Sequence, residues 1–282
     1  MQQIDPTGNV VHEHCDPLAH HDQHHMDNDE ILYTTLEPLT EEQARSIPGG
    51  IPETEAPDGK VYADCIKHVD ASGNLLWSWK VIENLDPTLF PLQPHYTRDH
   101  WPLINSVYPL QDGNILASLR SVSAVIIISR DTGKVIWHLD STVVAQQHNA
   151  SELDNGDILI FDNGTFRYRE SATYSRVIQV SRSTKEIVWQ YRDPHPMTFF
   201  TPFMGGAQRL QNGNTLITEA AFGRIFEVTM EGKICWEYVN PYFADYKGLD
   251  AKEIEDYFDY PANAMFRAYK YTPEQIPWLA RE

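Results

Sequence analysis

Asn155-Gly156-Asp157-Ile158-Leu159-Ile160-Phe161-Asp162-Asn163-Gly164, residues 155–164, carries a hairpin turn into an apolar run. Gln147-His148-Asn149-Ala150 stands ahead of it and Arg167 behind it. Alone this is one β-hairpin with polar decoration. The chain repeats the frame, and repeats decide a fold before secondary structure does. The same turn-then-apolar pattern recurs at Asp27-Asn28-Asp29-Glu30-Ile31-Leu32, Gln111-Asp112-Gly113-Asn114-Ile115-Leu116 and Gln211-Asn212-Gly213-Asn214-Thr215-Leu216. Asn-Gly and Asp-Gly between apolar runs predict type I′ hairpins, in which both central residues take positive φ.

A second element follows each turn: Gly73-Asn74-Leu75-Leu76-Trp77, Gly133-Lys134-Val135-Ile136-Trp137, Lys185-Glu186-Ile187-Val188-Trp189 and Gly232-Lys233-Ile234-Cys235-Trp236. A strand lies between the two elements, and one more precedes each hairpin turn. That makes four short strands per unit of about 40–50 residues, the signature of a β-propeller blade. The expected fold is therefore all-β, a single propeller domain over residues 1–282. Its blade repeats fall at about 15–80, 103–140, 146–192 and 203–240. Residues 5–12 match only the last strand of a preceding blade, and 257–272 read as a closing strand. Residues 37–60 and 81–102 read as long connections, and 249–259 have the composition of a short helix.

The 282 residues carry 41% apolar side chains, with 7 Trp, 14 Tyr and 11 Phe, enough for a packed core. A formal net charge of −18 argues against nucleic acid and anionic membranes as partners. An anionic substrate must then be drawn in by a local positive pocket, against the field of the whole chain. Cys15, Cys65 and Cys235 fit neither a disulfide framework nor a zinc-finger spacing. No window approaches the roughly 18 apolar residues of a membrane span, and no signal peptide follows Met1.

Superimposing the units on their turns places His21, Asn105, His148 and Gly205 at one shared position, at the start of each blade's first strand. In a propeller that strand lines the central channel. Arg120 closes the second strand of its unit and Arg167 follows Asp162-Asn163-Gly164 in the next; near a channel, a planar fork of donors suits sulfate, phosphate or carboxylate oxygens. His12, His14, His20, His21, His24 and His25 hold half of the twelve histidines. His20 and His21 are neighbours on a strand, so alternation predicts opposite faces; no metal-ligand set is assigned to the cluster, and no cofactor.

Gln147-His148-Asn149-Ala150 with Asn155 to Gly164, Arg167 and Tyr174-Ser175-Arg176-Val177 resembles the bacterial arylsulfate sulfotransferases. So do Asn105-Ser106-Val107 with Ser118-Leu119-Arg120, His20-His21-Asp22, Gly205 to Leu210 with Asn212 to Leu216, and Asn263 with Phe266 to Tyr271. The resemblance covers nearly the whole chain. It implies a six-bladed propeller of which four blades are visible, and export to the periplasm or the exterior. It also implies ping-pong transfer of a sulfuryl group from a phenolic sulfate to a phenol, through a sulfohistidine and without a nucleotide donor. The transition state is loose, so positioning and cationic stabilisation do most of the work.

On this resemblance His148, Arg167 and His21 are the candidate catalytic residues, and Arg120, Asn105, Asn163 and His20 bind substrate. Two departures stand out. Leu103 occupies the place of one family histidine, and His100, three residues earlier, is not assigned that role. The unit from Asn214 to Val228, where the family keeps its nucleophile, contains no histidine. A non-catalytic propeller binding an anionic or aromatic ligand or a protein partner is thus a competing reading. A metal-dependent hydrolase or lyase on the His12–His25 cluster is another. An incomplete ring leaves two sheet edges open, which predicts self-association or a partner that completes it.

Overall fold

A computed structural model describes residues 1–26, 28–245, 261–276 and 278. Its contacts divide the chain into two compact units, Met1–Glu152 and Leu153–Glu282. Both are built from antiparallel four-stranded meanders of the propeller-blade type, as the repeat predicts.

The first unit opens with a small hairpin, β1 (Gln2–Ile4) and β2 (Val10–Glu13). Next comes a sheet in the order β3 (Ala19–His25), β4 (Ile31–Pro38), β5 (Tyr62–Val69), β6 (Leu75–Lys80). The connection at 37–60, expected to be loop, holds α1 (Glu41–Ser46), which starts on a capping box between Thr40 and Gln43. After β6 the chain turns through α2 (Val81–Asn84) and returns as β7 (His100–Trp101), which runs parallel to the start of β5. β6 pairs only with Cys65 to Val69, so β7 takes the length of β5 that β6 leaves open. A second sheet follows: β8 (Ile104–Pro109), β9 (Ile115–Leu119), β10 (Ala124–Ile128) and β11 (Val135–Leu139). β12 (His148–Glu152) ends the unit.

In the second unit, β13 (Ile158–Asp162), β14 (Arg176–Val180) and β15 (Ile187–Tyr191) pair in order. A full meander follows: β16 (Gly206–Arg209), β17 (Thr215–Glu219), β18 (Arg224–Val228) and β19 (Ile234–Val239). The closing strand expected at 257–272 does not form in the described part of that range. From 261 to 272 the chain forms no strand and is held to β16 by the Gln208 side chain, which bonds Lys270 N at 2.7 Å and Lys270 O at 3.0 Å, before one short 3-10 turn at Pro273–Gln275. The helix expected at 249–259 lies outside the described residues.

The hairpin turns differ from expectation in type. Gly113 N–H donates to Leu110 O (2.9 Å) and Leu110 N–H to Asn114 O (2.8 Å), and the pattern repeats around Gly156 and Gly213. Only the glycines, at φ of 84°, 80° and 85°, are left-handed; Asp112, Asn155 and Asn212 are not. These are type I turns closed by a left-handed residue, the usual three-residue hairpin loop. In the first repeat Asp29 takes the left-handed place at φ 59°.

Burial explains the sequence pattern. β9 and β10 are buried along their whole length, so β10 reads as an unbroken apolar run and β9 as one interrupted only by Ser118, whereas β19 is exposed throughout. Leu32, Ile66, Trp79, Trp101, Ile104, Leu119 and Ile126 fill one core in the first unit. Each fully buried large apolar side chain contributes about 1.5–3 kcal/mol. The repeated tryptophans also pin one meander to the next. Trp77 donates its indole N–H to Arg130 O (3.1 Å), and Trp189 donates to Met230 O (2.8 Å).

Candidate functional site

In the first unit three strands of one sheet deliver a carboxylate and three imidazoles to one place. Asp64, on β5, is completely buried, and its two oxygens face different rings. His20 Nε2 lies 3.0 Å from Oδ1, and His100 Nε2 lies 3.0 Å from Oδ2. Oδ2 also accepts the Ile104 N–H at 3.1 Å. Burial alone would raise the Asp64 pKa, but the charges and hydrogen bonds of His100 and His20 outweigh it and hold the carboxyl well below its usual range. The carboxylate is therefore ionised at neutral pH.

His21 completes the group. Strand alternation predicted that it points away from His20, and the structure corrects this. The pairing of β3 with β4 slips between His20 and Gln23, and His21 sits at φ 52°. A bulge of this kind re-aims a side chain. The two rings then meet edge to face, with Nδ1 2.8 Å from Nδ1. His21 keeps solvent access, yet its pKa is pushed down to about 3, first by desolvation, then by His20 and His100. The ring is thus crowded by neighbouring protein although the residue is exposed. It stays neutral over the physiological range.

Arg120 borders this group. Its positive charge helps lower both His21 and His95. It lies over the Tyr96 ring, 5.7 Å from the centroid, and its side chain forms no ion pair or hydrogen bond among the described residues. Arg120 Nε and the adjacent Ser121 Oγ are both buried without a partner. In a chain of net charge −18, an arginine without a carboxylate is a vacancy for an anion.

The other expected site residues lie elsewhere. His148 is buried, with Nδ1 3.1 Å from Gln146 O. Gln146 in turn meets His95 Nε2 (2.5 Å) and accepts from the Tyr96 hydroxyl (3.0 Å). Left-handed φ at Gln146 (50°) and Asn149 (48°) turns the chain on either side of His148. Asn105 is fully buried and donates to Gln147 O at 2.8 Å, which makes it a brace for that segment.

Arg167 and Asn163 belong to the second unit. Arg167 is buried against Asp162, which also accepts Arg176 Nε at 2.8 Å, and Arg167 donates to Tyr174 O at 3.1 Å. Asn163 is fully buried and donates to Thr201 O and Met204 O, both at 2.9 Å. Both hold the loop that carries them. Thus the structure brings His20, His21 and Arg120 together and adds Asp64 and His100, which the sequence did not single out.

The arylsulfotransferase (ASST) family model matches residues 1–241. The chain belongs to the arylsulfotransferase family. A curated relative, the arylsulfate sulfotransferase AssT of Lelliottia amnigena, is 29% identical over 140 residues, which are 46% of this chain and 23% of that protein. The match thus spans about a quarter of the relative's length. Among solved structures, a Bacteroides caccae protein of unknown function aligns at 17% identity and a TM-score of 0.44, over 62% of this chain and 54% of that one. Virginiamycin B lyase of Staphylococcus aureus aligns at 15% identity and a TM-score of 0.40, over 74% and 60%. Among the described residues no helix is long and apolar enough to cross a membrane.

Proposed function

We propose that this arylsulfotransferase-family chain moves a sulfuryl group from a phenolic sulfate ester to a phenol by a ping-pong route in which His21 is the nucleophile. The unpaired Arg120 beside the Asp64–His20–His21 array carries the reading. Proton positions follow from the charges. The ionised Asp64 draws the His20 proton to Nε2, which leaves a lone pair on His20 Nδ1. That lone pair accepts the Nδ1–H of His21, so the lone pair of His21 lies on Nε2, free to attack.

Attack of His21 Nε2 on sulfur forms an N–S bond as the S–O bond to the phenol breaks, and the phenolate departs with that electron pair. An acceptor phenol then forms an O–S bond as the N–S bond breaks, the electron pair returns to His21 Nε2, and the acceptor's proton passes to solvent, which supplies one to the departed phenolate. The His21 Nδ1–H contact to His20, backed by Asp64, spreads the positive charge that develops on the ring. Arg120 offers donors to the sulfuryl oxygens, where a loose transition state concentrates charge. The fourth meander's lack of a histidine fits this relocation.

The test uses p-nitrophenyl sulfate with a phenol acceptor. Wild-type chain should release p-nitrophenol and gain one sulfuryl group by intact mass when the acceptor is withheld. His21→Gly should lose both while keeping its far-ultraviolet circular dichroism, and added imidazole should restore phenol release. Unchanged turnover in His21→Gly, or a sulfuryl adduct mapped to another residue, would remove His21 from the role.

A further inference from the structure

His20 Nε2 and Asp64 Oδ1 present an anomaly. The two atoms lie 3.0 Å apart as an ion pair, but the ring N–H is poorly aligned with the contact, which leaves both buried atoms short of full hydrogen bonding. His100, by contrast, makes a full hydrogen bond to Oδ2. Orphaned polar atoms in a wholly buried carboxylate site are costly unless something else satisfies them. The donor atoms of His20, Asp64 and His100 all lie within 4.8 Å of one another. Metal–ligand bonds of about 2.0–2.2 Å set donor atoms about 3–3.5 Å apart, so the 3.0 Å contacts fit a shared ion.

We infer that His20 Nε2, the Asp64 carboxylate and His100 Nε2 form a binding site for a late first-row divalent cation of the zinc class. Two imidazoles and one carboxylate suit that class and leave coordination positions open. The ligands stand on β3, β5 and β7, paired strands of one sheet, so the site is held by backbone hydrogen bonding. Outer contacts are also in place: His21 touches the second nitrogen of His20, and the Ile104 N–H steadies Asp64. Three of the other amino-terminal histidines are engaged elsewhere. His12 contacts Ala71 O, His14 the Tyr33 hydroxyl, and His24 packs on Tyr108. The ligand set is thus one member of that cluster with two residues much further along the chain.

Occupancy has a consequence that rests on the sulfuryl-transfer reading. An ion needs the Nε2 lone pair of His20, so the ring proton moves from Nε2 to Nδ1. His100 shifts its proton from Nε2 to Nδ1 in the same way. His20 Nδ1–H then faces His21 Nδ1, which must accept, and the His21 proton moves to Nε2. No proton is lost overall, but the nucleophilic lone pair of His21 is turned inward. The metal-loaded chain is the resting form, and metal release switches it on.

The full-length chain, stripped with chelator, is titrated with Co(II) alone, followed by visible absorbance, and with Zn(II) alone, followed by calorimetry. One ion per chain is expected. His20→Gln and His100→Gln should each weaken binding at least tenfold, on the order of the loss from disturbing even an outer contact, while His12→Gln should bind as wild type. Asp64→Asn is read alongside, and the two histidine variants decide the case if it misfolds. No stoichiometric ion, or wild-type affinity in both His20→Gln and His100→Gln, overturns the site. Aryl sulfate turnover is then followed against occupancy. A decline in step with bound ion supports the switch; full turnover at full occupancy overturns the switch and leaves the site. If the metal-free chain turns over no aryl sulfate at all, the transfer reading fails, and the isotherms still decide the site.

Discussion

Arg120→Gln separates a functional cation from a structural one, because Arg167→Gln provides its opposite. Arg120 has no carboxylate partner, so its removal strands no buried charge. What it loses is its contact with the Tyr96 ring, about 0.5–1 kcal/mol. Stability should therefore fall by no more than about 1 kcal/mol. Catalysis should suffer far more. A hydrogen bond to a charged group contributes about 1.5–3 kcal/mol, and a donor that meets charge only in the transition state is worth about 10²–10³ in kcat. A drop of roughly two orders of magnitude in kcat for p-nitrophenyl sulfate is expected, with a smaller change in KM.

Arg167 stands the other way round. It is buried against Asp162, shared with Arg176. Breaking a buried pair from one side costs about 3–5 kcal/mol, softened here because Arg176 remains. Arg167→Gln should lower the urea midpoint clearly, with kcat reduced only to the extent that the folded fraction falls. Both variants are read by urea denaturation and steady-state phenol release. A large loss of stability in Arg120→Gln with kcat intact, or a hundredfold loss of kcat in a fully folded Arg167→Gln, would reverse the two assignments.

Further outcomes follow from the same geometry. Asp64→Asn keeps the shape but removes the charge facing two imidazoles; it should cost about 3 kcal/mol or more in urea denaturation and cut kcat by at least about tenfold. The pH dependence of stability has a definite sign. His21 has an ordinary value of 6.5 and a folded value of about 3, so between these the unfolded chain binds a proton that the folded chain refuses. Stability should fall as pH falls through that window, and His21→Gln should flatten the fall; equal profiles for both chains would contradict the crowded, neutral ring. Gly164→Ala puts a Cβ 2.0 Å from Tyr174 O at a φ of +81°, so it should destabilise by about 2 kcal/mol or more in the same assay.

The meanders were legible because their turns and their outer strands repeat at a near-constant period. Turn type was not, since Asn-Gly is compatible with either hairpin and the extra residue that favours a left-handed glycine shows only in the register. The candidate site was half legible. His20, His21 and Arg120 stood out by residue type and position. Asp64 did not, because it sits mid-strand between Ala63 and Cys65 with no local signal of its partners. His100 was hidden for a different reason: β7 is two residues long and pairs with a strand nearly forty residues earlier. The expectation that His20 and His21 diverge failed because periodicity describes a regular strand, and the bulge there breaks the period.

The arginines of this chain support the proposed place of the chemistry beside His21. At the end of β17, where the family resemblance places the nucleophile, Arg224 lies 3.1 Å from Glu219 and 2.5 Å from Glu237. Burial pushes the Glu219 carboxyl up, and the Phe200 N–H and Arg224 pull against it. An incoming sulfate would meet a cation already neutralised by two carboxylates. Arg98 spends its donors on the backbone oxygens of Ala44, Ile47 and Gly49. Arg167 shares Asp162 with Arg176 in a closed network. Arg167 also keeps a buried Nε without a partner, but Arg120 alone in this comparison has neither an ion pair nor a side-chain hydrogen bond among the described residues, beside a ring that is neutral, re-aimed by a bulge and open to solvent. With forty acidic residues against twenty-two basic ones, pairing is the cheap outcome for any arginine. Leaving one unpaired next to the proposed nucleophile costs folding energy that an anion of the proposed substrate class would return on binding.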